Sequence, residues 1–134
     1  MTAAADFVGV VSVLQDYLDG LYDGDTARLA RVFHPEARYA CATEGRLLHL
    51  GMQEYFPVVD ARASPRSQGH ARTDRVLAIE FAGPVTARAT LQCSIPGKDF
   101  VDFLTLVHLD GRWQIVSKVF HYEARPPATT RVSA

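Results

Sequence analysis

The residues best placed for chemistry are the polar ones set in apolar runs, because a desolvated donor or charge acts far more strongly than a hydrated one. Lys118 is the most informative, lying between Val116 and Phe120 in IVSKVFH. A lysine with such neighbours either anchors an anionic ligand group or snorkels its ammonium to a rim. Tyr17 falls on the apolar stripe of a helical pattern, as a donor to a ligand or as a core tyrosine with a wet hydroxyl. Cys41 needs a cationic neighbour to become a nucleophile and is otherwise a small buried residue. Thr105 is a strand residue or a ligand contact. His34 precedes Pro35 at a helix end, where an imidazole can satisfy free carbonyls, while His49 and His121 could reach a cavity mouth. No two of the five histidines stand at ligand spacing with a carboxylate, so no metal is expected. The chain has no Gly-rich phosphate loop, Cys-x-x-Cys pair or Gly-x-Ser-x-Gly elbow, and no cofactor is expected.

Strands must position most of these groups. Residues 99–123 read DFVDFLTLVHLDGRWQIVSKVFHYE, with two β-prone runs flanking Asp110-Gly111. That dipeptide accepts positive φ at both positions and predicts a two-residue hairpin between strands 99–109 and 112–123. A simple two-residue loop pairs Leu109 with Arg112, Thr105 with Val116 and Phe103 with Lys118. One face then carries Val101, Phe103, Thr105, Val116, Lys118 and Phe120. The other carries Asp102, Leu104, Leu106, Trp113, Ile115, Ser117 and Val119. Both faces are largely apolar, so both are expected to be covered. In this register Asp102 and Lys118 lie on opposite faces, and a one-residue slip would turn the whole set over.

Upstream, residues 6–22 repeat apolar groups at helical spacing, with Asp6 as N-cap; Gly20 is expected to loosen the last turn. Gly24 suits the helix end and Asp25 caps a short helix over 26–33, which Pro35 ends. Strands are expected at 36–43 and 46–50 around Glu44-Gly45. A helix follows at 52–60, kinked or shortened by Pro57, then a flexible loop at 61–70. Residues 72–82 predict a strand with Leu77, Ile79 and Phe81 on one side. Residues 85–95 alternate cleanly, Ala87, Ala89, Leu91 and Cys93 pointing one way. The order is two helices, two strands, a third helix and four long strands, an α+β layout with helices on one face of a bent antiparallel sheet and a conical cavity between them.

The chain has 134 residues, reads as one domain over 1–125, and ends in a Pro-containing segment, 126–134, expected to be a disordered tail. Its net charge is −1 and its 14 basic residues are scattered, which argues against nucleic acid as a partner. No apolar run approaches the roughly 18 residues of a membrane span, and no basic segment precedes the apolar N-terminal stretch, so neither a membrane nor secretion is expected. Cys41 and Cys93 are far apart in apolar contexts and read as reduced thiols in a cytoplasmic protein.

Two stretches carry a family resemblance. DYLDGLYDGDTARLARVFHPEARY, residues 16–39, resembles the opening of a nuclear-transport-factor-2-like (NTF2-like, SnoaL-like) domain, and FVDFLTLVHLDGRWQIVSKVFH resembles the closing hairpin of its putative lumazine-binding branch. The resemblance covers about residues 6–123. It implies a cystatin-like cone, three N-terminal helices on a strongly curved antiparallel sheet, and a homodimer formed through the sheet face away from the helices. The fold hosts isomerases, hydratases, cyclases, dehydratases and pure binders. Set against its ketosteroid isomerases, the chain keeps the helix tyrosine as Tyr17, eight residues before Asp25. The base position in the first strand is matched by Cys41 and the second acid, in the next-to-last strand, by Thr105, so the isomerase carboxylates are not kept. The expected function is small-molecule binding in an apolar cone lined by Tyr17, Phe33, Tyr39, Cys41, Phe56, Phe103, Thr105, Lys118 and Phe120. The alternative is a lyase or isomerase of a cyclic or polyketide-like substrate. Two or more ionisable groups converging on the floor would favour the enzyme.

Overall fold

The structure, a computed structural model, describes residues 6–126. Helix α1, Phe7–Asp23, buries Val10, Leu14, Tyr17, Leu18 and Leu21 along one stripe. Asp6 caps it by accepting the Gly9 N–H at 2.9 Å. Gly20 does more than loosen the last turn: a Cβ there would lie 2.8 Å from Leu29 Cδ2. The missing side chain lets α2, Thr26–Val32, cross close to α1, with Asp25 capping α2 through the Arg28 N–H. Helix α3, Met52–Ala61, keeps ten residues with Pro57 inside it, and Glu54 accepts the Gly51 N–H at its start.

The strands are β1 Phe33–Cys41, β2 Leu48–Gly51, β3 Arg75–Phe81, β4 Thr86–Ile95, β5 Lys98–Leu109 and β6 Arg112–Ala124. They form one sheet in the order β2-β1-β6-β5-β4-β3, parallel between β1 and β6 and antiparallel elsewhere. Strand β1 begins at Phe33 rather than at 36, so Pro35 lies inside it. The ladder to β6 shifts between Phe33 and Arg38, and the N–H that Pro35 lacks falls in that break. His34 Nδ1 accepts the Glu36 N–H at 3.0 Å and does not serve a helix carbonyl. Residues 62–74 contain no helix or strand. The segment expected as a tail lies, beyond Pro126, outside the described residues. Among the described residues no helix is long and apolar enough to cross a membrane.

The decisive feature is a β-bulge in the hairpin. Asp110 and Gly111 take φ of 53° and 79°, as the turn demands, and pairing runs as expected from Leu109–Arg112 to Leu106–Ile115. Val116 then adds a residue without an opposite number. Thr105 pairs with Ser117, Leu104 with Lys118, Phe103 with Val119 and Asp102 with Phe120. Beyond the bulge, Lys118 and Phe120 share a face with Asp102, Leu104 and Leu106, and all five are buried. The expected pairing of Thr105 with Val116 and Phe103 with Lys118 is thereby corrected. Phe103 is 60% exposed on the opposite face, and Thr105 shares that side. A second bulge between Val76 and Ala78 turns Leu77 outward, while Ile79 and Phe81 still pack on the core. The core fills the space between this bent sheet and the helices, from Leu14 and Leu29 to Leu104 and Ile115.

Candidate functional site

Four elements bring ionisable side chains together at the base of the cone, where Tyr55 and Lys118 line the cavity and Tyr17 and Asp102 are fully buried next to them. Tyr17 comes from the buried stripe of α1, Tyr55 from α3, Asp102 from β5 and Lys118 from β6. The Tyr17 hydroxyl donates to Asp102 Oδ2 at 2.5 Å. Cys93 Sγ on β4 lies 3.8 Å from the same oxygen. Asp102 is fully buried, yet its Oδ1 has no hydrogen-bond partner among the described residues. The other such atom is Arg28 Nε, whose guanidinium is otherwise paired with Asp19 at 3.2 Å. An unpaired buried polar atom costs about 1–3 kcal/mol, which makes Asp102 Oδ1 a candidate to receive a hydrogen bond from a bound group.

Lys118 Nζ donates to the Tyr55 hydroxyl at 3.3 Å. It also lies 5.2–5.5 Å from the ring centroids of Tyr17, Tyr39, Tyr55 and Phe120. Four rings so placed hold a cation by their quadrupoles. Burial works against the ammonium charge, but Tyr55, Asp102, Cys93 and Tyr39 outweigh it and raise the Lys118 pKa above the ordinary lysine value. Burial, with the Asp102 charge behind it, raises the Tyr17 hydroxyl well above the ordinary phenol. The floor at neutral pH therefore carries an ammonium and a neutral phenol beside a carboxyl group. Lys118 and Asp102 form no direct ion pair; Tyr17 stands between them, hydrogen-bonded to one and ring-to-cation with the other.

Above the floor the cone opens between α1, the 62–74 segment and the start of β5. Its wall includes Leu18, Tyr22, Tyr39, Arg62, Arg72 and Phe100. The cavity opens to solvent, and about 520 Å³ of space, open solvent included, lies between the lining side chains. Across the mouth, Tyr22 donates to the His70 carbonyl at 2.6 Å, and His70 Nε2 lies 2.8 Å from Ser94 Oγ. Among the described residues no group of three or more His, Cys, Asp and Glu side chains is placed to hold a metal ion.

The structure sorts the sequence candidates as follows. Tyr17, Tyr39, Lys118 and Phe120 meet at the cone. Phe33 lies behind them, edge-on to Tyr17 at 5.8 Å and to Tyr55 at 6.0 Å, and Phe56 packs on Phe33 at 6.2 Å. Cys41 is buried near the end of β1, where its thiol donates to Thr43 Oγ1 at 3.2 Å; it borders a separate small cleft with Thr43, Glu44 and Tyr122. Phe103 and Thr105 are on the outer face, for the reason the Val116 bulge gives. His121 bonds Thr43 and Glu123 at the surface, and His49 is exposed on β2, so neither reaches the cone mouth. Sequence reasoning missed Asp102, Tyr55, Cys93 and Arg62. The available signal for Asp102 was a lone acid on an otherwise apolar strand face with Leu104 and Leu106. The helix tyrosine does meet an acid in the next-to-last strand, at Asp102 and not at Thr105.

Comparison with known proteins agrees with this architecture. A family model described as "Putative lumazine-binding" matches residues 5–121. A curated protein, "Aldolase FrzH" from Cladobotryum sp, is 28% identical over 120 residues, covering 88% of this chain and 92% of that protein. An NTF2-like protein of unknown function from Shewanella baltica OS155 superposes with a TM-score of 0.80 at 24% identity, covering 90% of this chain and 95% of that one. Another of unknown function, from Methylobacillus flagellatus KT, gives 0.78 at 25% identity, covering 89% and 93%.

Proposed function

This chain belongs to the putative lumazine-binding family of NTF2-like cones, and we propose that its cone is an active site for carbon-acid chemistry on a cyclic or polyketide-like carbonyl compound. The observation that carries this reading is the buried, unpartnered Asp102 Oδ1 on the same hairpin face as the buried Lys118. Several ionisable groups converge on the floor, where a purely binding cone needs one donor among apolar walls. The resemblance to a protein described as an aldolase supports the same class of reaction.

In this mechanism the substrate carbonyl enters the narrow floor and its oxygen meets Lys118 Nζ and the Tyr55 hydroxyl. Asp102 Oδ1 takes a proton from the adjacent carbon. The C–H electron pair becomes the enolate double bond, and the carbonyl π pair moves onto oxygen. The ammonium and the hydroxyl stabilise that oxyanion, in a site dry enough to make each hydrogen bond count. Tyr17 holds Asp102 through Oδ2 and leaves Oδ1 aimed inward. In a conjugated enolate Asp102 then returns the proton to a different carbon, which isomerises the substrate; otherwise the enolate carbon forms a carbon–carbon bond to a second carbonyl, whose π pair moves onto its oxygen, and that alkoxide takes the proton from Asp102. In reverse, that bond breaks and a carbonyl fragment leaves. Untargeted mass spectrometry of small molecules that co-purify with the wild type and with Lys118→Met tests the binding half. A carbonyl compound retained by the wild type and lost from the variant is expected.

The outer sheet face is read as a homodimer interface. Phe103 at 60% exposure, Val119 at 48% and Leu109 at 47% lie on the hairpin away from the helices, more apolar surface than an isolated sheet face tolerates well. Two free thiols suit a reducing compartment, and the cytoplasm is the compartment proposed.

A further inference from the structure

The cone wall carries three cations, Arg62, Arg72 and Lys118, and they are not equivalent. Arg72 donates to Asp19 at 2.6 Å and to Asp74 at 2.7 Å, so its charge is met twice over. Lys118 shares the floor with the Asp102 carboxyl group and is capped by Tyr55. Arg62 has no ion pair or side-chain hydrogen bond among the described residues, although it lines the cone and is only half exposed. It stands at the C-cap of α3 with extended backbone, φ −98° and ψ 151°, so the helix end fixes where it leaves the wall. Its charge is felt inside the cone: burial raises the Tyr39 hydroxyl above the ordinary phenol, and Lys118 and Arg62 both pull the other way.

We infer that Arg62, with the Tyr39 hydroxyl, is a carboxylate-binding subsite, and that the substrate is an oxo acid with its ketone at the floor and its carboxylate at the mouth. This rests on the carbonyl reading of the floor given above. A guanidinium presents a planar fork of donors that matches a carboxylate with two parallel hydrogen bonds, and a half-buried one without an internal acid gains most from an external one. Arg62, Tyr39 and Lys118 line the same cavity, so a ligand whose ketone meets Lys118 has Arg62 and Tyr39 on the wall for its second oxygen group. Arg72 is the weaker competitor, because Asp19 and Asp74 already neutralise its charge.

The test uses three probes: 4-oxocyclohexanecarboxylate, its methyl ester, and cyclohexanecarboxylate, which lacks the ketone. Dissociation constants are measured by titration calorimetry or NMR on wild type, Arg62→Met, Arg62→Lys and Lys118→Met. The oxo acid should bind the wild type at least about tenfold more tightly than its ester. Arg62→Met should abolish that preference while leaving the ester's affinity unchanged, and Arg62→Lys should keep part of it. If cyclohexanecarboxylate binds as well as the oxo acid, with dependence on Arg62 and none on Lys118, the subsite stands and the carbonyl reading of the floor falls. Equal binding of acid and ester, a preference that survives Arg62→Met, or no binding of any probe overturns the subsite.

Discussion

Tyr17 and Asp102, 85 positions apart in the chain, meet in a 2.5 Å hydrogen bond at the floor of the cone. The contact joins the first helix to the next-to-last strand and uses only one of the two carboxylate oxygens. The other is buried without a partner among the described residues. A carboxylate held from one side and free on the other is oriented to accept a proton.

Replacing Tyr17 with Phe should remove that hold and leave Asp102 Oδ2 dependent on the distant Cys93 thiol. A stability loss of about 1–3 kcal/mol is expected from the newly unpaired buried oxygen. Urea denaturation of the variant measures it, and a loss below a few tenths of a kcal/mol would show that the bond contributes little.

The buried phenol also sets an alkaline limit. Tyr17 has a folded-state pKa well above its ordinary value of 10.0, because burial and the Asp102 charge oppose the phenolate. The folded state then keeps a proton that the unfolded chain loses above about pH 10, so this stabilisation is complete below pH 10 and is lost as pH rises beyond it. Lys118, whose pKa is also raised, acts in the same direction above its ordinary 10.5. Thermal melts between pH 8 and 11.5 should show stability falling from about pH 10, with a shallower fall in Tyr17→Phe.

Lys118→Met keeps the apolar stem among Tyr17, Tyr39, Tyr55 and Phe120 and removes only the charge. Binding of a carbonyl ligand should weaken by about 1–3 kcal/mol, the cost of losing a hydrogen bond to a charged group. The far-UV circular dichroism spectrum should be unchanged. Equal affinity in wild type and variant would take Lys118 out of the site.

Phe103→Glu places a charge on the outer sheet face without touching the cone. Light scattering should show the wild type as a dimer and the variant shifted to the ~15 kDa monomer at micromolar concentration, since a buried unpaired charge is costly at an apolar interface. A wild type that is monomeric throughout would remove the homodimer.

Much of the fold was legible before the structure. The Asp110-Gly111 turn, the Asp6 and Asp25 caps, and the alternation of β4 are local signals, and local physics decides them. The register beyond Val116 was not, because a bulge depends on how β6 bends against β1 and β5 rather than on its own residues. That single extra residue brought Lys118 and Phe120 onto the core face that Asp102 shares and left Phe103 and Thr105 on the other. The resemblance matched the acid position to Thr105, and the acid that meets Tyr17 in that strand is Asp102. Arg62 was invisible for a different reason. It lies in a stretch that reads as a flexible loop, and its value comes from the acids that its neighbour Arg72 takes and it does not.

The central claim is that Asp102 removes a proton from carbon. It is tested most directly by NMR of α-hydrogen exchange in D2O, following 4-oxocyclohexanecarboxylate with wild type and Asp102→Asn. Wild type should accelerate exchange over buffer, and Asp102→Asn should lose about 10²–10⁴-fold of that acceleration while still binding the ketone. A wild type that binds the ketone through Lys118 and leaves its α-hydrogens exchanging at the buffer rate would contradict the account and make the cone a binding site alone.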